Sequence, residues 1–441
     1  MVLLRTLLLS TLAALLALAL PAQQPAGPPP GAAVATVVLE DEDLARPDEE
    51  CTVGVASGKA TADGRPLLWK NRDAQSRHNV ARWFDDAKHP YVAICDAGNP
   101  TVVWGGANAA GFCIMNSVSR DMPGDAKTGP GNGAFMKLAL RECTTISEFE
   151  QLLERTAKSG RRTRANFGVI DAHGGAAIFE TGHATHVRFD AAEDPRGLVV
   201  RANFATSARG DRGKDRFARA TALCAKIPEG TKLDSRFLLE QFCRDLEPPP
   251  AAKSGVEGTQ DVRETIHRQS TVAAMVFHGV KDGEDAAFTT MWAVLGQPLF
   301  SVAVPCWPAA GPTAPAMGGR ERSALCNAAL ELADAFYEVP LPKPPEDKQA
   351  ADAENRTEAE MAGAPRWLRV HELPALRKAL GAAEDAVLRT TTELLDKLRK
   401  EPPAPADLRA SLKAAHEAAA AQALKAVEAM AQKYQPAGAG R

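Results

Sequence analysis

The stretch that decides the fold is Cys51-Thr-Val-Gly-Val-Ala-Ser-Gly-Lys-Ala-Thr-Ala-Asp-Gly64, followed shortly by Leu67-Leu-Trp-Lys-Asn-Arg-Asp73. A cysteine opens one predicted strand, a polar segment predicts a turn, and a second predicted strand ends in charged residues. Because a hairpin folds its far end back beside its start, this pattern delivers Lys70 and Asp73 next to Cys51. The sequence therefore predicts a cysteine with a basic and an acidic neighbour at one end of a hairpin.

The sequence predicts that residues 1–50, which precede Cys51, are removed during maturation. Residues 1–22 predict a secretory signal peptide, because Arg5 supplies a positive start and Leu7–Leu20 is almost wholly Leu and Ala. The apolar run is short for a membrane span and no stop-transfer segment follows, which favours export over anchoring. Residues 23–50 are rich in proline, end in acidic residues and predict a flexible pro-segment. We therefore expect a secreted or periplasmic chain, without a membrane span, in which Cys51 can become the mature N-terminus.

Composition narrows the class of protein. The formal net charge is −3, the two signs are intermixed and aromatic residues make up 5% of the chain. Nucleic-acid binding is disfavoured, because it calls for a basic face with stacking side chains. The eight cysteines contain no C-x-x-C pair, so neither a zinc ribbon nor a redox dithiol is indicated. If Cys51 stays free, seven remain and cannot all pair; we interpret Cys95 and Cys113 as packing residues or a disulfide.

The predicted elements favour an α+β fold over a doubly wound parallel sheet, because strands come in hairpins and helices in blocks. The predicted strands are 52–58, 66–71, 91–96, 101–106, 112–117, 167–171, 176–181, 198–204, 271–278 and 288–295, and the predicted helices are 135–143, 147–156, 215–226 and 235–245.

The domain plan follows from where composition changes. Residues 51–340 predict a catalytic domain and residues 341–365 a linker rich in Pro, Glu, Lys and Ala. Residues 366–434 predict a C-terminal helical hairpin, which we interpret as a docked appendage or a contact for homo-oligomers.

The predicted chemistry centres on Cys51. A cysteine attacks as its thiolate, so it needs a base or a positive neighbour. None of the nine histidines lies in a recognisable catalytic context. An N-terminal cysteine can use its own α-amine, with a pKa of about 7.7–8.0 in model peptides, as the base. Asp73 could then orient the amine and Lys70 could favour the thiolate.

Donors for an oxyanion are also present. Asn116 follows a glycine-rich turn at the end of one predicted strand, and Asn203 ends another. An asparagine amide is a neutral donor suited to a tetrahedral oxyanion. Arg216 stands just inside a predicted helix and adds a late cation.

These pieces resemble the cysteine N-terminal-nucleophile hydrolases, in particular the choloylglycine hydrolase and penicillin acylase group with the isopenicillin N acyltransferase (peptidase C45-like) family. The resemblance covers roughly residues 51–307 and rests on Cys51-Thr52, the basic residue three before Asp73, Asn116, Asn203 and Arg216. The family usually has arginine where Lys70 stands, so this role could fall to Arg72 instead.

The resemblance implies a four-layer αββα sandwich of antiparallel sheets, with the C-terminal helical hairpin added. It implies that Cys51 attacks the amide carbonyl of a small N-acyl compound, with no metal or organic cofactor, and forms a thioester. Asn203 Nδ2 and the backbone N–H near Asn116 would hold the oxyanion, Asp73 the amine, and Lys70 and Arg216 would tune the thiolate. The acyl group would then pass to water or, in an acyltransferase, to an amine.

Two rival functions stay open. The opening motif is also similar to secreted dipeptidases (C69-type) of the same superfamily. A catalytically inactive secreted binding protein with the same fold is the alternative from another class. Each site residue also has a plainer interpretation, since Cys51 could be a small buried residue, Asp73 a turn cap and Arg216 a surface helix residue. The residues that bind the substrate are not predicted.

Overall fold

The computed structural model describes residues 50–124, 126, 128–227, 232–249, 258–319, 321–338 and 367–434. The predicted signal peptide and the linker 341–365 lie outside the described residues, as does the pro-segment except for Glu50. Within the described part, no helix combines the length and apolarity that a membrane crossing would need.

The catalytic cysteine candidate lies in a six-stranded antiparallel sheet, in the strand order β10-β1-β2-β12-β13-β14. Its strands are β1 (Glu50–Ala56), β2 (Leu67–Asp73), β10 (Leu198–Arg201), β12 (Thr271–His278), β13 (Thr290–Leu295) and β14 (Val304–Cys306). The predicted hairpin is the β1–β2 pair, near the middle of this sheet. Glu50 belongs to β1, so the last residue of the predicted flexible pro-segment is an ordered part of the sheet.

A second sheet is a seven-stranded antiparallel meander in sequence order. Its strands are β3 (Asn79–Phe84), β4 (Tyr91–Asp96), β5 (Gly105–Asn108), β6 (Cys113–Val118), β7 (Ala165–Ile170), β8 (Ala176–Thr181) and β9 (His186–Asp190). The two sheets pack face to face, since Val55 and Leu68 of the first share a core with Met115 and Ile178 of the second. Gly168 makes this close approach possible, because a Cβ there would lie 2.3 Å from Met115 Cε.

Helices cover the outer faces of both sheets. Helices α1 (Asn132–Glu142) and α2 (Ile146–Ser159) lie on the second sheet, where Phe149 packs edge-on against Phe167 and Phe179. On the first sheet lie α3 (Lys214–Ala225) and α4 (Ala324–Asp334), which contact β1, β10 and β13. The order helix, sheet, sheet, helix confirms the predicted α+β four-layer αββα sandwich.

The C-terminal helices α5 (Leu373–Lys400) and α6 (Pro405–Tyr434) confirm the predicted hairpin. They pack on each other, and α6 also packs on α4 and β14. A buried ion pair joins Arg244 to Glu384 of α5 at 2.7 Å. The hairpin is thus docked on the sandwich, and its role in homo-oligomers stays a prediction. A small sheet of β11 (Thr259–Gln260), β16 (Trp367–Arg369) and β15 (Tyr337–Glu338) precedes it, so residues 367–369 are strand and not part of the predicted helical segment.

Several sequence-based assignments were wrong in detail. The predicted helix 235–245 is a single turn, Ser235–Phe237, continued by a π-helix, Leu238–Phe242. Strand 101–106 begins later, at Gly105, and helix α4 was missed altogether. All eight cysteines are unpaired and buried, so Cys95 and Cys113 are packing residues. The elements that carry the site, β1, β2, β6 and α3, were predicted.

Candidate active site

The register of the β1–β2 hairpin places the charged end of β2 beside the start of β1. Cys51 lies opposite Arg72, and Glu50 lies opposite Asp73. Strand β10 pairs with β1 only from Val53 onward, so the start of β1 extends beyond β10. The segment that follows β10 folds over this extended start and carries Asn203 to it.

The Cys51 thiol is buried, with 5% of the residue exposed. Burial raises its pKa, since a thiolate is poorly solvated there, and the charge of Asp73 adds to the rise. The charge of Lys70 and a backbone hydrogen bond from Asp73 act in the opposite direction. Lys70 is the cation that favours the thiolate most, ahead of Arg72. The surroundings therefore offer the thiolate compensating charge although Cys51 is still joined to Glu50.

Lys70 is fixed between the two sheets. Its Nζ donates to Asn116 Oδ1 at 2.8 Å and to the Trp104 carbonyl at 3.0 Å. Asn116 therefore positions Lys70 through its side chain, and the predicted oxyanion role of the backbone near Asn116 stays a prediction.

Arg72, the alternative to Lys70, has other partners. Its guanidinium donates to Asn79 at 2.7 Å, lies 3.0 Å from the Asp96 carboxylate and stacks on Trp104. These contacts direct its charge toward the second sheet. The geometry favours Lys70 over Arg72 as the cation of the site.

Asn203 contacts Cys51 directly. Its Oδ1 accepts the Cys51 backbone N–H at 2.9 Å, and its Nδ2 donates to the Val118 carbonyl at 2.9 Å. In this unprocessed chain the amide thus holds the nitrogen that cleavage would free. The predicted role of Nδ2 as an oxyanion donor stays a prediction, and it requires Nδ2 to exchange the Val118 carbonyl for the oxyanion.

Arg216 lies in the first turn of α3 and contacts several residues of the site. Its side chain is fully buried and donates to the Cys51 carbonyl at 2.9 Å, to Thr52 Oγ1 at 3.1 Å and to Asn203 Oδ1 at 2.9 Å. It also bonds the Glu50 carboxylate. The plain surface-residue interpretation of Arg216 is wrong, because the helix points this side chain into the sandwich.

Asp73 lies at the end of β2, where its Oδ1 accepts a hydrogen bond from Thr271 at 2.7 Å. Its Oδ2 is buried, lies 3.8 Å from Arg268 Nη1 and accepts no hydrogen bond from the described residues. Burial raises the pKa of Asp73 to about 6, and the charge of Glu50 adds to the rise. An acceptor without a donor is suited to the amine that cleavage before Cys51 would create.

Sequence reasoning missed the residues that hold Glu50. The Glu50 carboxylate lies 3.1 Å from Arg212 Nε and 2.6 Å from Arg268 Nη1, in addition to its bond with Arg216. Although burial opposes ionisation, Arg216 and Arg268 hold the pKa of Glu50 below its ordinary value. We call these three arginines, 212, 216 and 268, the arginine cluster. The one sequence signal for these arginines was the predicted hairpin. It places the carboxylates of Glu50 and Asp73 side by side, and two neighbouring carboxylates require cations nearby.

The raised pKa of Asp73 predicts a pH-dependent stability. Asp73 has an ordinary pKa of 3.8 and a folded value of about 6, so its stabilising effect is complete below about pH 4 and is lost as the pH rises through 6. We therefore compare Asp73→Asn with its parent in a Cys51→Ala background that cannot cleave itself. The change in the free energy of unfolding caused by Asp73→Asn should become more stabilising on going from pH 4.5 to 7.5. Because pH 4.5 already lies above the ordinary pKa of Asp73, the shift between these two pH values should be roughly 2 kcal/mol, at about 1.4 kcal/mol per pKa unit.

The measurement is urea unfolding of both proteins at the two pH values. Glu393→Gln, at an exposed carboxylate of α5 that lies beside Arg389, is the control and should show no such shift. An equal effect of Asp73→Asn at both pH values would contradict the assignment.

No three His, Cys, Asp or Glu side chains in the described ranges form a group that could hold a metal ion. The site joins a buried thiol, a held backbone nitrogen, a cation and buried amide groups in one network.

Residues 60–222 match a family model described as acyl-coenzyme A:6-aminopenicillanic acid acyl-transferase. The matched stretch contains every predicted site residue except Cys51, which lies nine positions before it. The match confirms the resemblance that the motifs indicated. No functionally curated protein matches the chain.

Three solved structures are similar to this chain at low identity. An N-acylethanolamine-hydrolyzing acid amidase ortholog from Caenorhabditis elegans is 14% identical, with 51% of this chain and 92% of that chain covered and a TM-score of 0.37. Penicillin V acylase from Agrobacterium tumefaciens is 15% identical, with 56% and 86% covered and a TM-score of 0.35. A mutant conjugated bile acid hydrolase from Clostridium perfringens is 13% identical, with 39% and 57% covered and a TM-score of 0.25. Because these identities and TM-scores are low, the fold assignment rests on the two-sheet topology of this chain and not on the three structures.

Proposed function

We propose, from the premise that this chain has the sandwich and the motifs of the cysteine N-terminal-nucleophile group, that it is an amide hydrolase or acyltransferase. Its substrate is a small N-acyl compound, and the bond it cleaves is a linear C–N bond other than an ordinary peptide bond. The observation that carries the proposal is the hydrogen bond from the Cys51 backbone N–H to Asn203 Oδ1. Any buried backbone N–H needs an acceptor; what favours a reactive centre is that Arg216 also donates to this Asn203 oxygen and to the Cys51 carbonyl.

The first step of the proposal is cleavage of the Glu50–Cys51 bond. The Cys51 sulfur attacks the Glu50 carbonyl, the peptide nitrogen leaves as the free α-amine, and water hydrolyses the resulting thioester. Arg216 and Asn203 fix the backbone on the Cys51 side of this bond. Removal of Glu50 also removes a charge that raises the pKa of Asp73, so Asp73 becomes a stronger partner for the new ammonium group.

The catalytic cycle then repeats the same chemistry on a substrate. The α-amine takes the thiol proton, and the thiolate forms a C–S bond with the amide carbonyl carbon. The C–N bond breaks as the amine returns the proton to the leaving nitrogen. Water or an acceptor amine then resolves the thioester and restores the thiol. Lys70 favours the thiolate, and Asn203 Nδ2 with the backbone near Asn116 holds the oxyanion.

The signal-like segment 1–22 supports export as the cellular setting of this proposal, with action outside the cytoplasm. Cleavage before Cys51 would then complete a maturation that begins with removal of the leader.

The test is to express the full chain and to measure the intact mass of the purified product. We expect a chain that begins at Cys51 and gains the mass of one acyl group when an N-acyl p-nitroanilide is added and the mixture is quenched in acid. Release of free amino acids from dipeptides without this adduct would favour the dipeptidase. A chain that retains Glu50 and has a Cys51 inert to iodoacetamide would support the binding protein.

A further inference from the structure

The arginine cluster has a second use once Glu50 has left. In the unprocessed chain, three guanidinium groups converge on the Glu50 carboxylate. The Glu50 side chain is 16% exposed. Arg216 is fully buried, and the side chains of Arg268 and Arg212 are 12% and 32% exposed. Cleavage before Cys51 removes this carboxylate but leaves the arginines in place.

Among the described residues, the other carboxylates near Arg268 lie too far away to replace Glu50. Asp73 lies 3.8 Å from Arg268, and the half-exposed Glu264 lies 3.8 Å from its other nitrogen. Arg268 also bonds the Arg263 carbonyl. Both distances to carboxylates are longer than a charge-assisted hydrogen bond, whereas Glu50 made such a bond at 2.6 Å. The guanidinium groups of Arg216 and Arg268 are therefore already directed at the position that the Glu50 carboxylate vacates.

The position of this anion site relative to Cys51 is fixed by covalent chemistry. During cleavage the sulfur carries the Glu50 acyl group, and during catalysis the same sulfur carries the acyl group of the substrate. In Glu50, three carbons separate the carbonyl from the carboxylate, which is the carbon skeleton of a glutaryl group. An acyl chain of that length places its carboxylate where the arginine cluster held that of Glu50.

We propose that the mature enzyme takes N-acyl compounds whose acyl group ends in a carboxylate, with a five-carbon, glutaryl-length chain as the best fit. Arg268 and Arg212, with Arg216, bind that carboxylate. The inference rests on the proposed amide hydrolysis and names its acyl substrate. In the reaction, Cys51 Sγ gains the ω-carboxyacyl group, the leaving amine takes the proton, and water then releases the dicarboxylic acid.

The first test compares two chromogenic substrates of equal chain length on the processed wild-type enzyme, glutaryl p-nitroanilide and pentanoyl p-nitroanilide. Charge-assisted hydrogen bonds to the carboxylate should make kcat/KM for the glutaryl substrate about tenfold to a hundredfold higher. Equal rates, or a preference for pentanoyl, would overturn the inference while leaving the amide hydrolase intact. No turnover and no acyl adduct with either compound would instead contradict the proposed function.

A pair of variants tests whether Arg268 binds the carboxylate of the acyl group. Arg268→Gln should reduce the glutaryl-to-pentanoyl ratio at least tenfold, whereas Arg263→Gln, on the same loop but exposed, should preserve the ratio. An equal loss on both substrates with Arg268→Gln would indicate a structural role and overturn the assignment.

A second measurement needs no variant, in case Arg268→Gln blocks cleavage before Cys51. Glutarate should protect Cys51 of the wild-type enzyme from iodoacetamide at concentrations at least tenfold lower than pentanoate does. Equal protection by the two acids would count against the anion site.

Discussion

Replacement of Cys51 by alanine should leave Glu50 attached to the chain and reduce amide turnover by at least about a thousandfold. The reason is that one sulfur atom is proposed to perform both reactions, and no other thiol is placed to substitute for it. Loss of a catalytic nucleophile has effects of this size or larger in enzymes that act through an acyl intermediate.

The measurement is intact mass for the cleavage and the rate of amine release for the turnover. Cys113→Ala is the matched control, because Cys113 is also buried in the core between the sheets. It should be cleaved and active. A Cys51→Ala chain that loses Glu50 but is inactive would assign the cleavage to another protease, and an active Cys51→Ala chain would rule out the proposed nucleophile.

Arg216→Gln should have the second largest effect, slowing both cleavage before Cys51 and turnover by about a hundredfold. The substitution removes the donor to the Cys51 carbonyl and one of the two donors to Asn203 Oδ1. It also leaves Glu50 with fewer cations, in a site where burial opposes its charge. Because an unsatisfied buried group costs about 1–3 kcal/mol, we also expect a loss of stability of that order.

The half-life of the unprocessed chain, kcat and urea unfolding report these effects separately. Arg219→Gln is the control: Arg219 lies one turn further along α3 and pairs with Asp245 away from Cys51. We expect near wild-type cleavage and kcat for this variant. Wild-type cleavage by Arg216→Gln would show that its bond to the Cys51 carbonyl has no part in the reaction.

The β1–β2 hairpin shows what could be predicted from sequence. Two strand-like segments with a polar turn between them predicted the hairpin, and the hairpin determines which charged residues lie near Cys51. Asn116, Asn203 and Arg216 were found because polar residues at element ends stand out against apolar strands. Their exact partners were not predictable, as Asn116 proved to bind Lys70 and Asn203 the Cys51 nitrogen.

The helix predicted at 235–245 differs from the structure because of tertiary packing. Its apolar spacing suits an ordinary helix, yet the segment continues as a π-helix over Leu238–Phe242, where Phe242 packs edge-on against Trp69. Packing against the sheet overrode the local periodicity, which carries no information on a widened turn.

By itself the sequence determined the α+β class, the hairpin that opens the domain, and Cys51 with its basic and acidic neighbours. These features depend on residues close together in the chain, and local patterns report local structure. Only the tertiary structure decided that Glu50 lies in a cluster of three arginines and that Arg268 and Thr271 adjoin Asp73. Those residues are separated from the hairpin by more than a hundred positions, and no periodicity in the sequence records which loops the packing of two sheets brings together.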